Sequence, residues 1–190
     1  MLNRRQSILA AALACVTECG LEACTVEMIR ERSGASIGSL YHHFGNKQGI
    51  LAALYLGGIE DYGYAADRAL RAANSPEQLV RSVVFSYLQW VEANPDWARF
   101  LLHGRSRIEQ AGELGAALAE INRLHQQCFD EQLQRLGPDA LKPMPRDCQH
   151  VLMFGPSHEL ARRWLGQRIP GDLLVYGEYL GEAAWLSLKA

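Results

Sequence analysis

Between Thr25 and Lys47 the chain reads Thr-Val-Glu-Met-Ile-Arg-Glu-Arg-Ser-Gly-Ala-Ser-Ile-Gly-Ser-Leu-Tyr-His-His-Phe-Gly-Asn-Lys. Its polar residues suit hydrogen bonding to a phosphate polymer better than bond making. The hydroxyls of Ser36 and Ser39 can donate or accept toward base edges or phosphate. Gly38 lets a helix backbone approach closely, and Ile37 can touch a thymine methyl. Tyr41, His42 and His43 can donate to phosphate oxygens. Lys47, at the start of a helix, adds charge where backbone amides already favour an anion. A solvated Tyr-His-His face on a common helix pair would read the same way at this level.

Catalysis finds little support. Ser157, His158 and Glu159 are adjacent on a helix and point in different directions, so they cannot form a relay. The sequence has no Walker loop, H-E-x-x-H or G-x-G-x-x-G, and no enzyme is expected. The five cysteines (Cys15, Cys19, Cys24, Cys128, Cys148) are odd in number and lack a C-x-x-C pair. They read as small buried residues of a reducing cytosol. His125 with Cys128, and Cys148 with His150, lack a second ligand pair for zinc. Neither a metal nor a cofactor is expected.

The elements that must position the first segment are helices. Ile8, Ala12, Cys15 and Cys19 make one stripe that Gly20 stops. Thr25 can cap a short second helix with Val26 and Ile29 inward, ending at Ser33-Gly34. Ser36 can cap a third, whose Leu40 and Phe44 share a face and leave Gly38, Tyr41 and His42 outward. Two short helices joined by a glycine turn make a helix-turn-helix. Asn46 can cap a long helix from Lys47 to about Ala73. Ser75-Pro76-Glu77 starts another, and Asn94-Pro95-Asp96 ends it and opens the next. Further helices are expected over Glu109 to Leu136, about Arg146 to Leu165 with a kink at Gly155-Pro156, and about Pro170 to Leu188. Strand signals are nearly absent, so the fold class is all-α.

Composition agrees with a folded soluble chain: 48% hydrophobic, 21% charged, mean hydropathy −0.12. The net charge of −2 excludes a protein that coats nucleic acid by bulk charge. Up to Lys47 there is only one more basic residue than acidic, so DNA binding must rest on a local motif. The start, with Arg4-Arg5 before an apolar run to Val16, has the outline of a twin-Arg signal. Its run is short and serves equally as a helix. No other stretch nears the roughly 20 apolar residues of a membrane span. A cytoplasmic protein with no membrane partner is expected.

Gly20, Thr25-Val, and the run Gly34-Ala-Ser-Ile-Gly-Ser-Leu-Tyr-His-His-Phe-Gly-Asn-Lys-Gln-Gly-Ile-Leu51 strongly resemble the tetracycline-repressor (TetR) family, over roughly Arg5 to Leu54. The resemblance implies an all-helical homodimer that represses transcription until a small molecule binds its C-terminal domain. It places Thr25, Tyr41, His42 or His43, and Lys47 on phosphate-contacting positions, and Ile37, Gly38 and Ser39 on base-reading positions. Gly38 departs from the usual pattern by offering no side chain, which leaves the operator sequence open.

The same resemblance implies domains at residues 1–50 (DNA binding) and 51–190 (ligand binding and dimerisation). The last two long helices would pair with their copies through Leu152, Phe154, Leu160, Trp164, Leu173, Leu174, Tyr176, Leu180 and Trp185, or these residues would simply close the subunit core. Phe85, Tyr87, Trp90, Trp97 and Phe100, with His103, are candidates for a ligand pocket or for plain core. Arg105 and Arg107 are candidates for meeting an anionic ligand. The expected partners are duplex DNA, a second copy of the chain and a small-molecule effector.

Overall fold

The computed structural model describes residues 3–109 and 114–190. The side chains of Arg105 and Arg107 lie outside the described residues. Nine helices follow one another among the described residues: α1 (Arg4–Ala23), α2 (Val26–Ser33), α3 (Ile37–Phe44), α4 (Lys47–Ala72), α5 (Pro76–Ala93), α6 (Pro95–Glu109), α7 (Leu114–Leu136), α8 (Arg146–Leu165) and α9 (Leu173–Leu188). The single strand-like contact among them is an isolated bridge between Leu141 and Lys189. The fold is all-α, with an N-terminal helix-turn-helix.

Side-chain caps fix most helix starts. Asn3 and Gln6 form a reciprocal capping box at α1. Thr25, Ser36, Ser75 and Asp172 each accept a backbone N–H at the starts of α2, α3, α5 and α9. Asn46 does the same for α4, accepting from Gly49 at 2.8 Å. The α6 helix includes Glu109, and residues 110–113, over which the expected Glu109–Leu136 helix begins, lie outside the described residues. The α9 helix begins at Leu173, three residues past Pro170. Pro170 cannot donate a backbone hydrogen bond, and Asp172 supplies the cap that the prolyl start lacks. Pro156 lies inside α8 without ending it.

The residues form two compact units. The first comprises Met1–Ile59 and Asp96–Ala119, the second Glu60–Pro95 and Glu120–Ala190. The core of the first unites Ile8, Ala12 and Cys15 of α1, Ile29 of α2, Leu40 of α3 and Ile50 and Leu54 of α4. In the second, Leu79, Val80, Val84, Leu88 and Val91 line the buried side of α5, which packs most extensively on α9. Gly177 and Gly181 of α9 press on Phe85, a Cβ on Gly177 standing only 3.1 Å from its ring. Glu92 accepts the Leu173 N–H at 3.2 Å, satisfying one of the free amides that open α9.

Of the cysteines, Cys15, Cys24 and Cys128 are buried and Cys19 partly so, but Cys148 is exposed. The expectation that all five are buried fails at Cys148, which lies in the first turn of α8. The α1 helix is long and apolar enough to cross a membrane by composition alone. Ile8, Leu9, Ala11, Ala12 and Cys15 are nevertheless buried within the first unit.

Leu40 is 1% exposed, whereas Phe44 is only half-buried. Leu40→Ala should therefore destabilise the first unit by roughly 2–5 kcal/mol, the range for truncating a buried leucine, and Phe44→Ala by less. Urea unfolding followed by circular dichroism measures both. A near-silent Leu40→Ala would mean that α3 is rotated from this placement.

Candidate nucleic-acid interface

Eight residues of α3 separate cleanly into two faces. Leu40 points into the core, while Ile37, Gly38, Tyr41, His42 and His43 are exposed and Ser39 is partly covered. The turn before it is made by Gly34, which ends α2 in the left-handed region at φ 62°, where glycine carries no Cβ penalty. The turn after it is tight for a different reason. A side chain on Gly49 would place its Cβ 1.9 Å from the Phe44 carbonyl oxygen, so only glycine lets α4 start this close to the end of α3.

Two hydroxyls on this surface already serve the backbone. Thr25 Oγ1 accepts from Met28 N at 3.2 Å, and Ser36 Oγ from Ser39 N at 3.1 Å. Each keeps its own O–H for an outside acceptor. Lys47 is half-buried, with Nζ donating to the Glu22 carbonyl at 3.2 Å. An ammonium has three donors, so two remain. The His42 and His43 rings meet edge to face at 5.4 Å. Gly38 opens onto free space, the nearest atom to a hypothetical Cβ being Ser36 Oγ at 4.0 Å.

Two residues not singled out in the sequence stand beside this surface. The Arg5 guanidinium lies 5.7 Å from the centre of the Phe44 ring, within cation–π range. Arg4 reaches the Gly34 carbonyl at 3.5 Å. Both belong to the first turn of α1, whose spacing gave no sign of proximity to α3. By contrast, Arg32 is ion-paired with Glu18 at 2.7 Å and Arg30 with Glu31 at 3.1 Å. The net positive charge at this end of the unit therefore comes mainly from Arg4, Arg5 and Lys47.

Residues 8–54 match the model of the bacterial regulatory proteins of the tetR family. By this N-terminal segment, the chain is similar to the TetR family. The transcriptional repressor AcnR of Corynebacterium glutamicum is 44% identical over 52 residues, covering 27% of this chain and 28% of AcnR. The transcriptional regulator BetI 1 of Chromohalobacter salexigens is 32% identical over 82 residues, 43% of this chain and 41% of that protein. The matched segments thus span less than half of these relatives.

Solved structures extend the likeness of fold over nearly the whole chain. A TetR-family regulator from Marinobacter aquaeolei superposes with a TM-score of 0.78 at 19% identity, covering 98% of this chain and 95% of its own. FadR of Bacillus subtilis, solved with stearoyl-CoA, gives 0.75 at 16% identity, with 94% and 96% covered. These relatives are named as regulators of transcription.

The aromatic pocket candidates fall in different units. Phe100 is buried against Tyr55 in the first unit, where Trp97 is partly buried and His103 exposed. Phe85 and Trp90 belong to the second. Trp90 Nε1 donates to Asp61 at 2.7 Å, and its ring meets Tyr62, which in turn meets Tyr87. Burial holds the Tyr62 and Tyr87 phenols well above their usual range. His158 meets Tyr87 edge to face, with ring centres 4.7 Å apart. His125 Nδ1 lies 3.2 Å from Asp67, with its ring directly over Gly63.

The dimer candidates are also divided. Leu173 is fully buried, and Phe154, Leu160, Trp164, Leu174, Tyr176, Leu180 and Trp185 are partly covered. Leu152 is exposed together with Val151 of α8 and with Val175, Tyr179 and Leu186 of α9. Val175, Tyr179 and Leu186 recur at helical spacing and make one outward apolar stripe.

Proposed function

We propose that this chain is a DNA-binding transcriptional repressor that grips a palindromic operator as a homodimer and releases it when a small molecule binds. The observation that carries the proposal is the outward face of α3, held by buried Leu40 within the segment shared with the family. Ile37, Gly38 and Ser39 take the base-reading role. Thr25, Ser36, Tyr41, His42, His43 and Lys47 hold phosphates, and Arg4 and Arg5 add charge beside them. The DNA-binding part is residues 1–50, the ligand and dimerisation part 51–190, and the protein works in the cytoplasm.

A direct test compares two variants on a duplex selected from random sequence. Lys47→Ala should weaken binding to selected and random duplexes alike, because a phosphate contact carries little sequence information. Its salt slope should fall by about 0.9 per lost contact. Ser39→Ala should instead narrow the gap between the two duplexes. Altered base preference with an unchanged slope in Lys47→Ala would refute the assignment.

Dimerisation is assigned to the exposed stripe of α9 with Val151 and Leu152 of α8. Tyr179 is 72% exposed, a large aromatic side chain with no use in the subunit core. Sedimentation should show a dimer at micromolar concentration, and Tyr179→Glu should shift it toward monomer with its helicity intact. A wild-type monomer, or an unaltered dimer in the variant, would remove this face from the interface.

The effector is expected to be a small apolar or amphipathic molecule. Phe85 and Trp90 of the second unit, or Trp97, Phe100 and His103 of the first, are the candidate contacts, and the stearoyl-CoA bound by FadR is consistent with that chemistry. A coupling of roughly 1–3 kcal/mol would lower DNA affinity 5–150-fold, and DNA must weaken the ligand by the same factor. Calorimetry with a panel of acyl thioesters, with and without saturating duplex, measures it. Equal affinities would show that the compound does not release the protein.

A further inference from the structure

The polar side of α5 forms the floor of a trench on the second unit. Gln78, Ser82, Phe85 and Gln89 follow one another at helical spacing and share a face. Ala69, Ala72 and Ala73, at the end of α4, make one low wall, and Glu178 of α9 stands on the other side. The space between them is about 730 Å³, within the range of roughly 300–1,000 Å³ usual for a small-molecule site.

Shape limits the occupant. From Gln78 to Gln89 the floor runs roughly 16 Å at the rise of an α-helix, leaving a mean cross-section of about 45 Å². A helix, about 10–12 Å across with its side chains, is too thick for that space. An extended peptide needs a free sheet edge to pair with, and helices offer none. A small molecule remains.

Hydrogen-bonding chemistry limits it further. Arg81 Nη1 donates to Glu77 at 2.9 Å and Nη2 to Glu178 at 3.0 Å. A guanidinium has five N–H donors, so three stay open between two carboxylates that each keep a second oxygen. Ser75 Oγ accepts the Gln78 backbone N–H at 3.1 Å and keeps its own O–H. Gln78 Oε1 accepts the Asn74 N–H at 2.9 Å, which leaves its amide nitrogen to donate. Ser82 spends its O–H on the Gln78 carbonyl at 2.7 Å and keeps lone pairs to accept. Exposed Gln89 brings both functions.

Donors and acceptors are therefore mixed along the trench. An anion would face both carboxylates, and a cation would compete with Arg81 for them. An apolar chain would take water from these groups and return no hydrogen bond. A neutral molecule with several hydroxyls fits, because each hydroxyl both donates and accepts. Phe85 adds a flat apolar surface. It is half-buried, its ring held against α9, where a Cβ on Gly177 or Gly181 would stand 3.1 or 3.5 Å from it. The Arg81 stem uses the same room, 3.4 Å from a Cβ on Gly181. Two glycines of α9 thus fix ring and guanidinium side by side, which matches a sugar ring with C–H bonds on its face and hydroxyls on its edge.

We infer that the trench between α4, α5 and α9 binds a neutral saccharide, its C–H face on Phe85 and its hydroxyls on Arg81, Glu178 and Gln89. Such a ligand differs in class from the apolar effector proposed above, and the site needs neither DNA nor a second copy of the chain.

Calorimetry on the full chain with glucose, galactose, maltose, trehalose and sucrose tests the site. At least one should bind with a Kd of about 1 mM or below. Glu178→Ala removes an acceptor, and Ala72→Trp fills the trench from its wall. Both positions are exposed, so each variant should keep its helical circular dichroism while weakening that sugar at least about tenfold. Failure of every sugar to bind at about 10 mM, or binding that both variants leave intact, would overturn the site. Tighter binding of glucose 6-phosphate than of the neutral sugar would overturn the assigned class, as would displacement of the sugar by an acyl thioester. A panel of acyl thioesters that fails to bind bears on the effector alone and leaves the sugar titration to decide this site.

Discussion

An eight-residue helix is too short to persist in water, where isolated helices below about 12–15 residues are marginal. The α3 helix exists because Leu40 is driven into the core of Ile8, Ile29, Ile50 and Leu54. That burial fixes the rotation of α3 as well as its stability. With successive residues turned by 100°, seating Leu40 inward commits Ile37, Gly38, Tyr41 and His42 to the outside. Ser36 sets where the helix begins, and the close approach of Gly49 to the Phe44 carbonyl sets where the chain turns into α4. Every contact proposed for this face inherits its direction from one leucine and its register from two turns.

The helix-turn-helix was legible because its boundaries are chemical. Thr25, Ser36 and Asn46 are side chains that accept backbone N–H groups, and such caps leave an imprint on sequence that periodicity alone does not. The placement of Arg5 over Phe44 was illegible. It depends on how α1 crosses α3, and residues 39 apart in sequence carry no local sign of meeting. The burial of the cysteines was misjudged for a related reason, since exposure of Cys148 and part-exposure of Cys19 depend on tertiary packing.

Burial along α9 depends on partners distant in sequence. Gly177 and Gly181 are among its buried residues, because Phe85 and Arg81 of α5 fill the space that side chains there would need. Val175 and Tyr179 are turned out as a consequence. The same dependence on distant partners explains the pocket candidates. Composition counted five aromatics and a histidine, but only tertiary structure joins Trp90 to Asp61 and Tyr62, and Phe100 to Tyr55.

The charge distribution bears on what kind of DNA binding the proposed function would involve. Arg30 and Arg32 look from sequence like a basic pair on the helix before the turn, yet each is matched by a glutamate. Exposed pairs of this kind contribute little to stability, but each glutamate cancels an arginine's charge at distances beyond a few ångströms. What remains is a small number of cations around α3 on a chain of net charge −2. Non-specific affinity for DNA comes almost entirely from phosphate neutralisation, so this protein would have little of it. Gly38 further removes one side chain from base readout. Discrimination would then fall on the fit of the α3 backbone and Ile37 in the groove, and on holding two such faces at the spacing of successive grooves. A regulator built this way depends on dimer geometry for its affinity, and a small displacement at α2 or α3 is enough to silence it.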